Sequence, residues 1–126
     1  MLFDTEFLIR RAGQRGAREK ARTAAFLSAH PASALYTSRV CWSEFAEGCG
    51  HRAEADHALA SFAILEIDDS IAWQASRVAR SLAGTGRHIG DNDIWIAATA
   101  LEFGLPLVSN NQKHFARISG LKVAAY

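Results

Sequence analysis

Residues 90–109 read GDNDIWIAATALEFGLPLVS, and this stretch decides the fold class. Gly90-Asp91-Asn92 offers the small and oxygen-bearing side chains that cap helices. A strongly apolar helix follows from Ile94 to Phe103. Gly104 ends it and Pro106 comes two residues later, which is the usual order of helix stop signals. Leu107-Val108-Ser109 then reads as a short buried strand. A helix feeding directly into a buried strand is half of a βαβ unit.

The same alternation extends in both directions. Leu2-Phe3 reads as the end of a first strand, followed by a helix from about Thr5 and a second from about Ala17 to Ala29. Ala34 to Thr37 is the second strand. Thr37 or Ser38 caps a helix carrying Val40, Cys41, Glu44, Phe45 and Gly48. His51 to Phe62 is alanine-rich and helical, Ile64 to Ile67 is a strand, and Ser70 to Leu82 is a further helix. Gly84-Thr85-Gly86 breaks the chain, and Leu121 to Ala124 closes it with a last strand. Short strands alternating with helices predict an α/β fold with a mainly parallel sheet and more helix than strand. No repeat, low-complexity tract or linker interrupts residues 1–126, so a single domain is expected.

Bulk properties narrow the function classes. With 49% hydrophobic and 21% charged residues the chain has the composition of a soluble globular protein. No apolar run reaches the roughly 18 residues of a membrane span. Met1-Leu2-Phe3-Asp4 lacks the pattern of a secretory signal. Cys41 and Cys49 match no zinc or redox spacing and suit a reducing compartment, so a cytoplasmic location is expected. The net charge of +1 is uninformative, but Arg10, Arg11, Arg15, Arg18, Lys20 and Arg22 lie close together against the single acid Glu19. Such a stretch either steers a phosphate backbone or forms a solvated helix face.

In open parallel sheets, ligands bind beyond the carboxyl ends of the strands, where strand order reverses. The residues just after each predicted strand are therefore the candidates. Asp4 follows the first strand, Glu44 lies in the first turns of the helix after the second, Asp93 opens the apolar helix, and Asn111 follows Ser109. Carboxylates gathered within about 5 Å cannot all stay ionised without a cation, which predicts raised pKa values. Oxygen ligands without sulfur or histidine suit Mg²⁺ or Mn²⁺ rather than Zn²⁺. An ion held by Asp4, Glu44 and Asp93 would activate water for in-line displacement at phosphorus, so the chemistry expected is metal-assisted phosphodiester hydrolysis. Each residue also has an ordinary structural use. Asp93 can balance a helix dipole, Glu44 can be solvated, and Asn111 can shape a turn. Asp91 or Asn92 is read as the cap, and both are given a structural role.

Four segments carry a resemblance. Met1-Leu2-Phe3-Asp4-Thr5 precedes Phe7-Leu8-Ile9-Arg10. Ser43-Glu44-Phe45-Ala46-Glu47-Gly48 places Gly four residues after an acid. Ile89 to Ala100 sets Asp93 three residues before an Ile-Ala-Ala triplet. Leu107 to Phe115, with Ile118 to Val123, puts Asn111 two residues after Ser109. Together, in order and over residues 1 to about 123, they resemble the PIN-domain family, specifically the VapC toxins of bacterial toxin–antitoxin pairs. The resemblance implies a three-layer α/β/α sandwich and an Mg²⁺- or Mn²⁺-dependent endoribonuclease. Catalysis would rest on Asp4, Glu44, Asp93 and Asn111, with tRNA or rRNA as substrate. It also implies a homodimer and a cognate antitoxin. Arg10, Arg11, Arg15, Lys113 and Arg117 are candidate RNA contacts. The family usually has Asn where this chain has Glu6, which adds an anion if Glu6 faces the site. Asn111 replaces an acid and lowers the site's charge by one.

Other features weigh less. Trp42, Trp73 and Trp95 are read as core rather than base-stacking residues. The histidines show no paired metal spacing, and no phosphate-binding loop is found. Two other functions fit parts of the sequence. A receiver-type signalling domain would use Asp68 or Asp69 after the Ile64–Ile67 strand as phosphoacceptor. A catalytically weak PIN domain would act by binding an antitoxin or a DNA-associated complex.

Overall fold

The computed structural model describes residues 1–126. Its elements run β1 (Leu2–Phe3), α1 (Thr5–Arg11), α2 (Ala17–Ala29), β2 (Tyr36–Ser38), α3 (Arg39–Ala46), α4 (Arg52–Ala58), β3 (Ala63–Leu65), α5 (Asp69–Leu82), α6 (Asp91–Glu102), β4 (Leu107–Val108), α7 (Gln112–Phe115) and β5 (Val123–Ala124). All strand pairs are parallel, in the order β3-β2-β1-β4-β5. The chain thus builds one way from the centre to β3, then crosses back to lay down β4 and β5 on the other side of β1. Right-handed crossovers send the helices of these two halves to opposite faces of the sheet. The result is the α/β/α sandwich.

Burial explains why these segments take these forms. Leu2, Phe3, Leu107 and Val108 form the two central strands and are essentially inaccessible. They read as continuous apolar runs because a parallel sheet is covered on both faces. Ile94, Ile96, Ala97, Ala98, Thr99 and Ala100 are all buried, as an all-round apolar helix must be. By contrast α5 is amphipathic and buries only Ile71, Ala75, Val78 and Leu82 against α6. On the opposite face Phe3 packs against Phe7, Phe26 and Phe62, with centroid separations of 4.5, 6.2 and 5.5 Å.

Several expectations shift in detail. The second strand is Tyr36–Ser38 rather than Ala34–Thr37, since Tyr36, Thr37 and Ser38 pair with Ala63, Ile64 and Leu65. Pairing also ends the third strand before Ile67, which is 45% exposed. The helix read to Phe62 stops at Ala58, because Leu59 to Phe62 turn the chain into β3. The cap of α6 is Gly90, with no side-chain cap bond, so Asp91 and Asn92 are not caps but first-turn residues. Trp73 is not core: it is 62% exposed, with the Arg77 guanidinium 4.2 Å from its ring centre.

Candidate active site

The reversal of strand order falls between β1 and β4, and a cleft of about 450 Å³ opens at their carboxyl ends. Asp4, Glu44, Asp93 and Asn111 all line it, together with Thr5, Glu6, Glu47, Asn92 and three apolar residues. Local structure delivers each one. Asp4 ends β1, where its N–H donates to the Val108 carbonyl at 3.2 Å, and its Oδ1 caps α1 by accepting from Phe7 N–H at 2.8 Å. Ser38 ends β2 and caps α3 by accepting from Cys41 N–H at 3.1 Å, which orients the helix carrying Glu44. Asp93 enters from the first turn of α6. The Asn111 N–H donates to the Ser109 hydroxyl at 3.0 Å, folding the segment after β4 back to the cleft.

Each acid meets a different donor set. Asp4 is only 8% exposed, and burial raises its carboxyl to about 6, against the opposing pull of the Ser109 hydroxyl and the Phe7 N–H. Glu6 and Asp93 push it the same way as burial. Glu44 accepts from the Thr5 hydroxyl on one oxygen and from the Asn92 amide on the other, the latter at 2.9 Å. Asp93 Oδ2 lies 2.8 Å from His114 Nδ1, which is also 3.0 Å from the Asn111 side-chain amide. Burial raises the Asp93 carboxyl as well; His114 opposes this and Glu44 adds to it.

The lining includes five carboxylates and no lysine or arginine. Such a set is stable only with protons or a cation present. Its donors are oxygens of the hard type that Mg²⁺ and Mn²⁺ prefer, so the residues fit such an ion. No three His, Cys, Asp or Glu groups already stand at ligand distance from a common point. Glu44 is instead turned to Thr5 and Asn92, Asp4 to Ser109, Asp93 to His114, and Glu6 to Arg10 and Arg15. Cys41 is fully buried and absent from the cleft lining, and burial pushes its thiol up to about 11, which disfavours a thiolate there.

Sequence reasoning missed Thr5, Glu47, Asn92, Ser109 and His114. Glu47 was recoverable, since it stands one helical turn from Glu44 and shares its face. Asn92 was hidden by its resemblance to a cap. Among the basic residues, Arg10 and Arg15 reach the cleft only through Glu6. Arg11 instead borders a separate groove with Leu8, Lys20 and Phe62. Lys113 is exposed on α7, and Arg117 donates to the His88 carbonyl at 3.0 Å. Asp68 is the α5 cap, accepting from Ile71 N–H at 2.9 Å beyond an edge strand. The phosphoacceptor role of the receiver reading therefore has no place in the cleft.

Comparison with known proteins gives the family and the fold. The PIN domain family pattern matches residues 1–121. Ribonuclease VapC1 of Methanocaldococcus jannaschii is 41% identical over 64 residues, covering 49% of this chain and 47% of that protein. The tRNA(fMet)-specific endonuclease VapC of Shigella flexneri is 36% identical over 59 residues, covering 47% and 45%. The matched stretch thus spans about half the length of these curated relatives. Among solved structures, VapBC-1 from nontypeable Haemophilus influenzae superposes with a TM-score of 0.75 at 27% identity, covering 98% of this chain and 96% of that one. VapBC2 from Rickettsia felis, bound to a promoter DNA fragment, gives 0.80 over 99% and 97%, but at 19% identity it supports the fold alone. With the family pattern running over residues 1–121 of a sheet that gathers its acids at one crevice, the chain belongs to the PIN-domain family.

Proposed function

We propose that the protein is an Mg²⁺- or Mn²⁺-dependent endoribonuclease, the toxin of a type II toxin–antitoxin pair, acting on structured RNA such as tRNA or rRNA. The observation that carries this reading is the cleft itself, lined by five carboxylates and by no lysine or arginine at the strand-order reversal. Asp4, Glu44 and Asp93 would hold the ion, with Asn111 as a fourth oxygen donor. When bound, the ion supplies an activated water and stabilises charge at phosphorus. The chain's own residues prepare that chemistry. Thr5 and Asn92 fix Glu44, His114 fixes Asp93, and Ser109 fixes Asn111. Ile9, Ile96 and Phe115 form the apolar part of the cleft wall.

The names of the similar proteins support ribonuclease chemistry and an antitoxin partner, and a homodimer and cytoplasmic location belong to the same reading. No helix is long and apolar enough to cross a membrane. The alternative of a catalytically weak domain rested on Glu6, whose charge is taken up by Arg10 and Arg15. The test is incubation of the purified protein with total RNA in Mg²⁺, Mn²⁺ or EDTA, with the cut ends mapped. Cleavage should require the divalent ion and disappear in Asp93→Asn. Cutting that persists in EDTA would remove the metal mechanism.

A further inference from the structure

Glu6 is where the opening segment departs from the family it resembles, and the structure gives it partners. Its Oε1 accepts from Arg10 Nε at 2.9 Å. Arg15 donates from Nε to Oε1 at 3.3 Å and from Nη2 to Oε2 at 3.4 Å, and Glu6 itself lines the cleft. Arg15 lies beyond the end of α1, nine positions along the chain from Glu6. It returns to α1 because the turn holding it is bounded by Gly13 and Gly16, with φ of 86° and 91°, a region closed to most side chains.

The two arginines are held differently. Arg10 is mostly covered, has a second partner in Glu19, and stands 5.8 Å from the centre of the Tyr126 ring. The Arg15 side chain is 54% exposed, its two contacts are long, and it has no acid partner besides Glu6. An acid-lined cleft repels a polyphosphate chain, so a cation at its mouth is where the RNA backbone has most to gain.

We infer that Arg15 is a phosphate contact for the RNA substrate and that Glu6 holds it partly masked at the cleft mouth until a backbone phosphate displaces the carboxylate. The inference rests on the ribonuclease reading. A guanidinium binds carboxylate and phosphate with the same planar fork, so the exchange conserves its hydrogen bonds. Arg10 stays behind to neutralise Glu6. Arg15 therefore contributes little to RNA binding while Glu6 is present, and more once Glu6 is neutral.

A double-mutant cycle tests this coupling. Wild type, Glu6→Gln, Arg15→Ala and the double variant are titrated against fluorescein-labelled single-stranded RNA of mixed sequence, in EDTA, over a KCl series. Glu6→Gln should bind several-fold tighter, with a salt slope steeper by about 0.7, the value for one added phosphate contact to a single strand. Arg15→Ala should cost about twofold in the wild-type background and about tenfold in Glu6→Gln, as expected for a charged hydrogen bond freed of its competitor. Glu102→Gln makes the same charge change at the far end of α6 and should leave affinity within about twofold. Equal costs of Arg15→Ala in both backgrounds, or none in either, overturn the inference. RNA that is cut by wild type but not by Asp93→Asn, combined with an additive cycle, sinks the inference alone. RNA that is never cut sinks the ribonuclease reading, whatever the cycle shows.

Discussion

Asp4 has an observed role and a proposed one, and they pull against each other. As the α1 cap it is buried and accepts a backbone hydrogen bond; as the metal ligand we propose, it would be ionised in a place that disfavours charge. The sign of the stability effect follows from the two pKa values. Unfolded, the carboxyl titrates near 3.8; folded, near 6. Below pH 3.8 both states hold the proton and there is no effect. Between the two values the folded state retains a proton that the unfolded state has released, so stability falls as pH rises. Above about pH 6 the loss is complete, at about 3 kcal/mol from ~1.4 kcal/mol per pH unit of separation. Asn keeps the capping oxygen and removes the charge. Asp4→Asn should therefore melt higher than wild type at pH 7.5 in EDTA, lose that advantage below about pH 4, and fail to cut RNA. A lower melting temperature at pH 7.5 would show that the buried charge is not the governing cost. At Asn92 the stakes are reversed, because the residue is exposed and supports Glu44 through one amide bond. Asn92→Ala should lower cleavage about 10- to 100-fold, as loss of an outer support for a metal ligand does. Its denaturant midpoint should change by no more than about 0.5 kcal/mol equivalent. A stability loss matching the activity loss would assign Asn92 a structural role instead.

At the scale of elements, the site is as good as the helix starts that aim its side chains. Ser38 is fully buried at the junction of β2 and α3, and its hydroxyl is the only side-chain cap of the helix that carries Glu44. Ser38→Ala should cost about 1 kcal/mol, read as a lower denaturant midpoint at unchanged m-value. It should also reduce cleavage, since the first turn of α3 loosens; Ser38→Thr, which keeps an accepting oxygen, should restore most of both. Helices were legible from sequence. Ser70–Leu82 differs by one residue, because Ile71, Ala75, Val78 and Leu82 repeat at helical spacing, and Ala17–Ala29 stands where it was read although Thr23 is its only buried residue. Strand ends were less legible, since Ile67 is as apolar as Ile64 and only cross-strand pairing decides where β3 stops. The four candidate site residues were readable as a set that the fold brings to one cleft, Asp4 and Asn111 beyond strand ends and Glu44 and Asp93 near helix starts. Their supports were not, because Thr5, Asn92, Ser109 and His114 acquire a role only from partners distant in the chain or set by tertiary approach.

For the whole molecule, the decisive quantity is how charge is distributed rather than its sum. A chain of net charge +1 places five acids and no lysine or arginine along one cleft, while Glu6, at its edge, is tied to two arginines. Folding thus concentrates like charge at the strand-order reversal, a convergence that only the folded state presents. An ion that binds only the folded state stabilises it by RT ln(1 + [ion]/Kd), about 2.7 kcal/mol at a hundredfold excess over Kd. Mg²⁺ or Mn²⁺ should accordingly raise the melting temperature in a saturable way at pH 7.5, where KCl of equal ionic strength does not. The shift should be smaller at pH 5.5, because Asp4, titrating near 6, then holds a proton that the ion must displace. Asp93→Asn and Glu44→Gln should each weaken it, with the melting curves in EDTA as the baseline for each variant. A divalent shift that survives both substitutions would place the ion elsewhere on the surface, and the acids of the cleft would then need another neutralising partner.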